Sequence, residues 1–229
     1  ATLTAGTDYN LFFAVDVTAG AAGFSLETRI NASNTTVRGL YSSSIVPPNV
    51  QAGITNPPAL ISQTPPVVVY DRGTLVATGA NINPTSEVHE FVITKMLRVT
   101  LAAGVENVNL NSFKVHLNGN VAASVVNVAL WWDENKNSEV DGIDVQLGLL
   151  NFTSGDATFS GSPLKTITAG TTEYFIVRIS VNDGNQQGTT AGVEVSSAAF
   201  IGATGVTTGL GITATGSFPL QAATVSVEN

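Results

Sequence analysis

Short runs of alternating or β-branched residues, each closed by a turn former, follow one another along nearly the whole of this chain. They occupy 24–30, 67–70, 74–78, 90–101, 107–117, 123–132, 173–181, 192–199, 211–214 and 223–227, bounded by Gly, Asn, Asp, Pro or Ser. Alternation with a period of two divides side chains between the faces of a sheet, whereas an amphipathic helix needs a period of 3.6, which no window shows. Many short strands separated by turn signals predict a β-sandwich or barrel and not a parallel α/β sheet. The expected class is all-β, and 229 residues with 43% hydrophobic content suffice for a sizeable core.

That core has no covalent help. The chain lacks Cys, which excludes a disulfide framework, a thiolate metal site and a Cys nucleophile. Only 11% of residues are charged, so Thr, Ser, Asn, Gly and Ala must make most of the surface, as in many extracellular β proteins. Nine Lys and Arg against 17 Asp and Glu leave a formal charge of −8, with no footprint for nucleic acid or anionic lipid. An acidic surface favours cations instead. No run has the length of a membrane span or the layout of a signal segment, so membrane insertion is not expected. The sequence opens at Ala1, and the expected history is export to the cell surface with removal of a signal peptide. The start also lacks the long apolar helix on which type IV-like pilins polymerise.

The texture changes at 45–66, where Pro47-Pro48, Pro57-Pro58 and Pro65-Pro66 predict a semi-rigid extended connector. It separates an N-terminal β segment, 1–44, from a main domain, 67–229. The two parts share a repeat. Thr4-Ala5-Gly6-Thr7 precedes the run Leu11-Phe12-Phe13-Ala14-Val15-Asp16-Val17, and Thr168-Ala169-Gly170-Thr171 precedes Phe175-Ile176-Val177-Arg178-Ile179-Ser180-Val181 in the same register. A Gly-rich turn and an alternating strand follow each. Residues 1–44 therefore read as the later strands of a sandwich, and 11–17 is apolar enough to need cover on both faces. It has no Pro or Lys to blunt an edge. Three readings stay open: the segment folds back on its own main domain, a second copy covers it by strand addition, or the chain belongs to a longer multi-repeat protein. Strand addition makes Tyr9, Leu11, Phe12, Phe13, Val15 and Val17 the candidate donor residues.

The sharpest motif starts at Asp133. Counting from it, Asp133, Asn135, Asn137, Asp141 and Asp144 stand at positions 1, 3, 5, 9 and 12, and Glu139 at position 7 offers its carbonyl. That spacing wraps a hard cation in oxygen, and the expected ion is structural Ca²⁺. Ser138 replaces the usual Gly at position 6, and Asp144 replaces the bidentate Glu at position 12; an Asp there resembles dockerin-type loops. The alternative is a solvated Asn/Asp-rich hairpin loop.

With these motifs, residues 88–227 resemble Ca²⁺-binding repeat modules of bacterial and archaeal surface proteins. The strand 95–101 (Lys-Met-Leu-Arg-Val-Thr-Leu), Asn107-Val108-Asn109-Leu110, the Trp131-Trp132 strand entering the Asp133 loop, the Thr168–Thr171 turn and the closing run 223–227 carry the likeness. It implies immunoglobulin-like or jelly-roll folding, Ca²⁺ binding and surface localisation. A free β segment ahead of one sandwich also resembles archaeal donor-strand filaments, including bundling pili and cannula-type tubes.

Asn31, Asn34 and Asn151 head N-x-Ser/Thr acceptors for N-linked glycans. Catalysis finds little footing. The two imidazoles, His89 and His116, lie far apart in sequence, with no G-x-S-x-G or H-E-x-x-H motif, and read as exposed or capped strand histidines. Adjacent Trp131 and Trp132 point to opposite faces of a strand, one into the core and one outward toward a sugar or a neighbouring subunit. The expectation is a non-enzymatic, self-assembling filament or tube subunit. An adhesin or carbohydrate-binding module, or a piece of an S-layer or multi-repeat protein, is the alternative.

Overall fold

The computed structural model describes residues 73–229 and, before them, six two-residue strands. These are β1 (Ser25–Leu26), β2 (Arg29–Ile30), β3 (Val37–Arg38), β4 (Ile45–Val46), β5 (Ala59–Leu60) and β6 (Val67–Val68). They pair antiparallel as β1–β6, β2–β5 and β3–β4. Parts of the expected connector, 45–66, thus pair with the segment before it. The chain divides into two compact units, Ala1–Asp71 and Arg72–Asn229. The donor residues Tyr9, Leu11, Phe12, Phe13, Val15 and Val17, and the acceptors Asn31 and Asn34, lie outside the described residues.

The second unit is an all-β sandwich. Its strands are β7 (Leu75–Asn81), β8 (Glu87–His89), β9 (Thr94–Ala103), β10 (Val108–Gly119), β11 (Val126–Asp133), β12 (Val145–Asn151), β13 (Asp156–Ile167), β14 (Thr172–Val181), β15 (Thr190–Val195), β16 (Ile201–Gly205), β17 (Gly211–Ile212), β18 (Leu220–Gln221) and β19 (Val225–Glu228). Among the described residues there is no α-helix, only 3-10 turns at Ala123–Val125 and Ala198–Phe200, and no helix long and apolar enough to cross a membrane.

One sheet is antiparallel throughout, in the order β12-β11-β14-β9-β7. The other is built around β10. β13 runs along one edge of β10, while β16 and then β15 share the opposite edge. β18 and β19 continue outward from β15, β8 joins β19 in parallel, and β17 flanks β16. The middle strands alternate as the sequence does. Leu97, Val99 and Leu101 of β9, Val128 and Leu130 of β11, and Phe175, Val177 and Ile179 of β14 face Leu110, Phe113 and Val115 of β10 in one core. Phe113 stacks on Phe175 across the sheets, with ring centroids 6.2 Å apart.

The repeated tetrapeptide acts as a clasp here. Gly170 takes a left-handed φ of 72° that favours glycine, and its N–H donates to the carbonyls of Ala103 and Gly104. Thr171 returns a carbonyl to the Ala103 N–H, and the Ala169 N–H donates to Asn107 Oδ1. The turn thereby joins the end of β9, the start of β14 and the residue before β10.

Several expected strands are revised. Phe91, near the start of the run 90–101, adopts a left-handed φ of 63°, and β9 begins only at Thr94. The runs 123–132 and 192–199 each give part of their length to a 3-10 turn. Of this unit's strands, β8, β12, β13, β16 and β18 were not expected. β12 is exposed on both faces for much of its length, and β13 detours through Gly161, Ser162, Pro163 and Leu164 between its pairings of Ser160 and Lys165.

One buried carboxylate pins the entry to the sandwich. Glu106 is 7% exposed and accepts the N–H groups of Gly73, Thr207 and Thr208 and the Thr208 hydroxyl at 2.8–3.1 Å. Burial raises its pKa, but the bonds from Thr208, Gly73 and Thr207 outweigh it and hold the group below the ordinary Glu value. A depressed folded-state pKa stabilises above the unfolded value and is lost as pH falls through the folded one. Glu106→Gln should cost about 2–3 kcal/mol at neutral pH, read from urea unfolding, with the gap to the parent protein shrinking on acidification below about pH 4.

Candidate functional site

The 133–144 loop connects β11 to β12 and lies against the outer face of the five-stranded sheet. Ile176 of β14 points to that face, with Arg98 and Trp131 as its cross-strand neighbours, and is fully buried although outside the main core. Two bonds fasten the loop over this sheet: Arg98 Nη1 donates to Ser138 Oγ at 2.9 Å, and Lys95 Nζ pairs with Glu139 Oε1. The Glu139 side chain is thus turned to Lys95, which leaves its main-chain carbonyl as the group it can offer inside the loop.

Inside, Asx-type bonds set the winding. Asp133 is fully buried and accepts the N–H of Asn137 at 3.2 Å and of Ser138 at 2.8 Å. Asn135 Oδ1 accepts from the Asn137 N–H, and Asn137 Oδ1 from the Glu139 N–H. Lys136 and Ser138 take left-handed φ values of 60° and 66°, so the place of the usual Gly is filled by a serine in that same region. Asp144 closes the loop by accepting the N–H of Glu134 at 3.0 Å and of Asp141 at 2.8 Å. Asp141 Oδ2 receives the amide nitrogens of both Asn135 and Asn137. Its pKa is held below the ordinary Asp value by the Ile143 N–H first, then the Asn135 amide, with Asn137 adding to these against a small effect of burial.

The sequence-expected ligands Asp133, Asn135, Asn137, Glu139, Asp141 and Asp144 therefore belong to one wound loop. Both amides direct NH₂ toward Asp141 while their Oδ1 atoms accept backbone N–H groups, so a cation beside Asp141 requires these side chains to reorient. Among the described residues no group of three or more His, Cys, Asp or Glu side chains is gathered so as to hold a metal by itself. A cation in this loop has to draw on the amide and carbonyl oxygens as well.

Trp132 packs against the core and donates its indole N–H to Glu173 at 2.8 Å, with the Lys165 ammonium over its ring. Burial lowers the Lys165 pKa, against the opposing charges of Glu173 and Glu134. Trp131 lines a shallow groove on the outer face with Ile93, Asn127, Gln146, Leu149 and Arg178. Asn151 ends β12 and is exposed.

The histidines differ from each other. His89 is exposed beside Glu87, whereas His116 bonds Asp156 at 2.7 Å through Nδ1, and Lys114 reaches the other Asp156 oxygen at 3.1 Å. The His116 bond is the chief reason the Asp156 pKa is lowered; burial opposes it and Lys114 reinforces it. Among the described residues no serine or threonine hydroxyl bonds either imidazole. Sequence reasoning missed this pair, the Arg98–Ser138 fastening and Glu106, since only strand register brings their members together.

No protein-family model matches the chain, and no curated protein matches it.

Asp133→Ala should lower stability by about 2–3 kcal/mol in the presence of chelator, because two backbone N–H groups lose their buried acceptor whether or not metal binds. Denaturant unfolding in EDTA measures this.

Proposed function

We propose that the chain is a structural subunit of an extracellular filament or tube, assembled by strand addition between copies and stabilised by Ca²⁺ in the 133–144 loop. The edge of β12 carries the reading. This seven-residue strand pairs with β11 on one side, has no strand on the other among the described residues, and contains no Pro, Lys or Arg. Val145 and Leu149 on it are 44% and 59% exposed. Monomeric proteins usually blunt such an edge, and an unblunted one is a template for another strand. At the other end of this sheet β7 is protected: Ala77 N–H donates to the Thr215 carbonyl and Thr215 N–H to that of Leu75. The run 11–17, whose alternate residues include Leu11, Phe13 and Val15, matches β12 in length and also lacks Pro and Lys.

Calcium and assembly meet at one residue. β12 starts at Val145, directly after Asp144, so a cation held by Asp133, Asn135, Asn137, Asp141, Asp144 and the Glu139 carbonyl would fix the start of the accepting edge. Those six donors reach the lower end of the oxygen count that Ca²⁺ takes. Surface localisation after signal-peptide removal and glycans on Asn31, Asn34 and Asn151 fit the low-charge, Thr/Asn-rich composition and the likeness to surface-protein modules and archaeal donor-strand filaments.

A second reading, one module of a multi-repeat surface protein, is favoured by the Thr-Ala-Gly-Thr repeat. β14 has strand neighbours on both edges, so its sequence counterpart at 11–17 calls for two as well, which an adjoining repeat would supply. A sugar-binding role draws only on the Trp131 groove.

Electron microscopy with and without chelator tests the proposal. Calcium should give regular fibres, and Leu149→Lys or deletion of residues 1–20 should leave a folded monomer, the substitution changing stability by less than about 0.5 kcal/mol. Monodisperse globules in Ca²⁺, or fibres that persist in both variants, would sink it.

A further inference from the structure

A second acidic site lies past the end of β14, where the loop to β15 meets the end of β8. Glu90 is 6% exposed. Its Oε1 accepts the Gln186 N–H at 2.6 Å, while Oε2 is enclosed with no hydrogen-bond partner. Neither protonation state resolves this from within the chain: a carboxylate there has no donor, and a carboxyl O–H has no acceptor. A buried polar atom left in that condition is costly enough to point to something that binds it.

The surroundings indicate what kind of species. Gln186 also donates its side-chain amide to Asp183 Oδ2 at 2.8 Å, which draws Glu90 and Asp183 to a single residue, and the Asn185 amide meets Asp183 Oδ1 at 3.1 Å, leaving both Asp183 oxygens with a lone pair for a further partner. Gly184 lies over Oε2, which is 3.8 Å from where a β-carbon would stand. The Glu90 N–H donates to the Glu228 carbonyl, and the Glu228 side chain meets Gln187. Among the described residues no Lys or Arg pairs with Glu90, Asp183 or Glu228. A water molecule could donate to Oε2 but would leave the acidic charges unopposed; a cation answers both needs.

We propose that Glu90 Oε2 and the Asp183 carboxylate hold a hard divalent cation, with Ca²⁺ the favoured ion and solvent completing its shell. The site is separate from the 133–144 loop: Asp133 pairs with Tyr174 near the start of β14, and Asp183 follows its end. It ties the β14–β15 loop to the β8–β9 junction, where Phe91 holds its left-handed backbone. Millimolar to submillimolar affinity, as in extracellular modules, is the expected range.

The experiment is a Ca²⁺ titration of the full chain followed by calorimetry and amide NMR. In the unmodified protein the Gly184 and Gln186 amides should shift with Ca²⁺. Glu90→Gln should weaken binding at this site at least tenfold while the 133–144 amides still respond, and Asp133→Asn should spare Gly184 and Gln186. Gly184 and Gln186 amides unmoved at millimolar Ca²⁺ would overturn the assignment, as would a Glu90→Gln variant that shifts them as the parent does. If that variant does not fold, the unmodified protein's spectrum decides alone. A silent 133–144 loop beside a responding Gln186 would count against calcium in the proposed assembly and leave the Glu90 site standing.

Discussion

The sandwich depends on the contact between its two innermost strands, β10 and β14. Each has pairing partners on both edges, and Phe113 of one stacks on Phe175 of the other. With no Cys to cross-link the sheets, this packed seam and the aliphatic rows around it must supply the cohesion between layers. The outer elements are positioned relative to it. The Thr-Ala-Gly-Thr clasp begins β14, the 133–144 loop lies over Ile176 on its outer side, and the Asp183 turn follows its last residue.

Among the described residues, three buried acidic side chains each hold a loop against this frame. Glu106, Asp133 and Glu90 all accept backbone N–H groups from non-regular segments, at Gly73 and Thr207–Thr208, at Asn137–Ser138, and at Gln186. An ionised carboxylate suits this work, since its two oxygens take several donors at once and bonds to charged groups are the stronger kind. Glu106 and Asp133 meet protein donors at both oxygens. Glu90 does so at one, and that difference sets it apart.

What was legible in the sequence follows the same division between centre and periphery. β9 and β10 alternate because one face of each is buried for most of its length, and β11 and β14, buried on both faces at Val128–Leu130 and Phe175–Val177, show as apolar runs. β12 and β13 lie at edges where the hydrophobic pattern fades, and β16 alternates in burial but fills its inward positions with Ile201, Ala203 and Gly205, too small a set of apolar side chains to mark the period. The 133–144 loop was readable because all its polar groups sit within one short stretch. Glu90 and Glu106 were not, since their partners Gln186 and Thr208 are 96 and 102 residues away in the chain and only the folded register unites them.

The parallel pairing of β8 with β19 has a consequence for how the molecule is made. Glu87–His89 is the second strand of the sandwich in sequence, yet the strand it pairs with is Val225–Glu228, the last described. During vectorial synthesis β8 must wait without its β19 partner while β9 to β18 leave the ribosome, and β15 likewise lacks its β19 flank until then. Long-range closure of this kind makes folding slow and leaves an adhesive intermediate. A nascent chain of this design gains most from holdase chaperones, and loss of Val225–Glu228 would harm it far more than the small loss of buried area suggests.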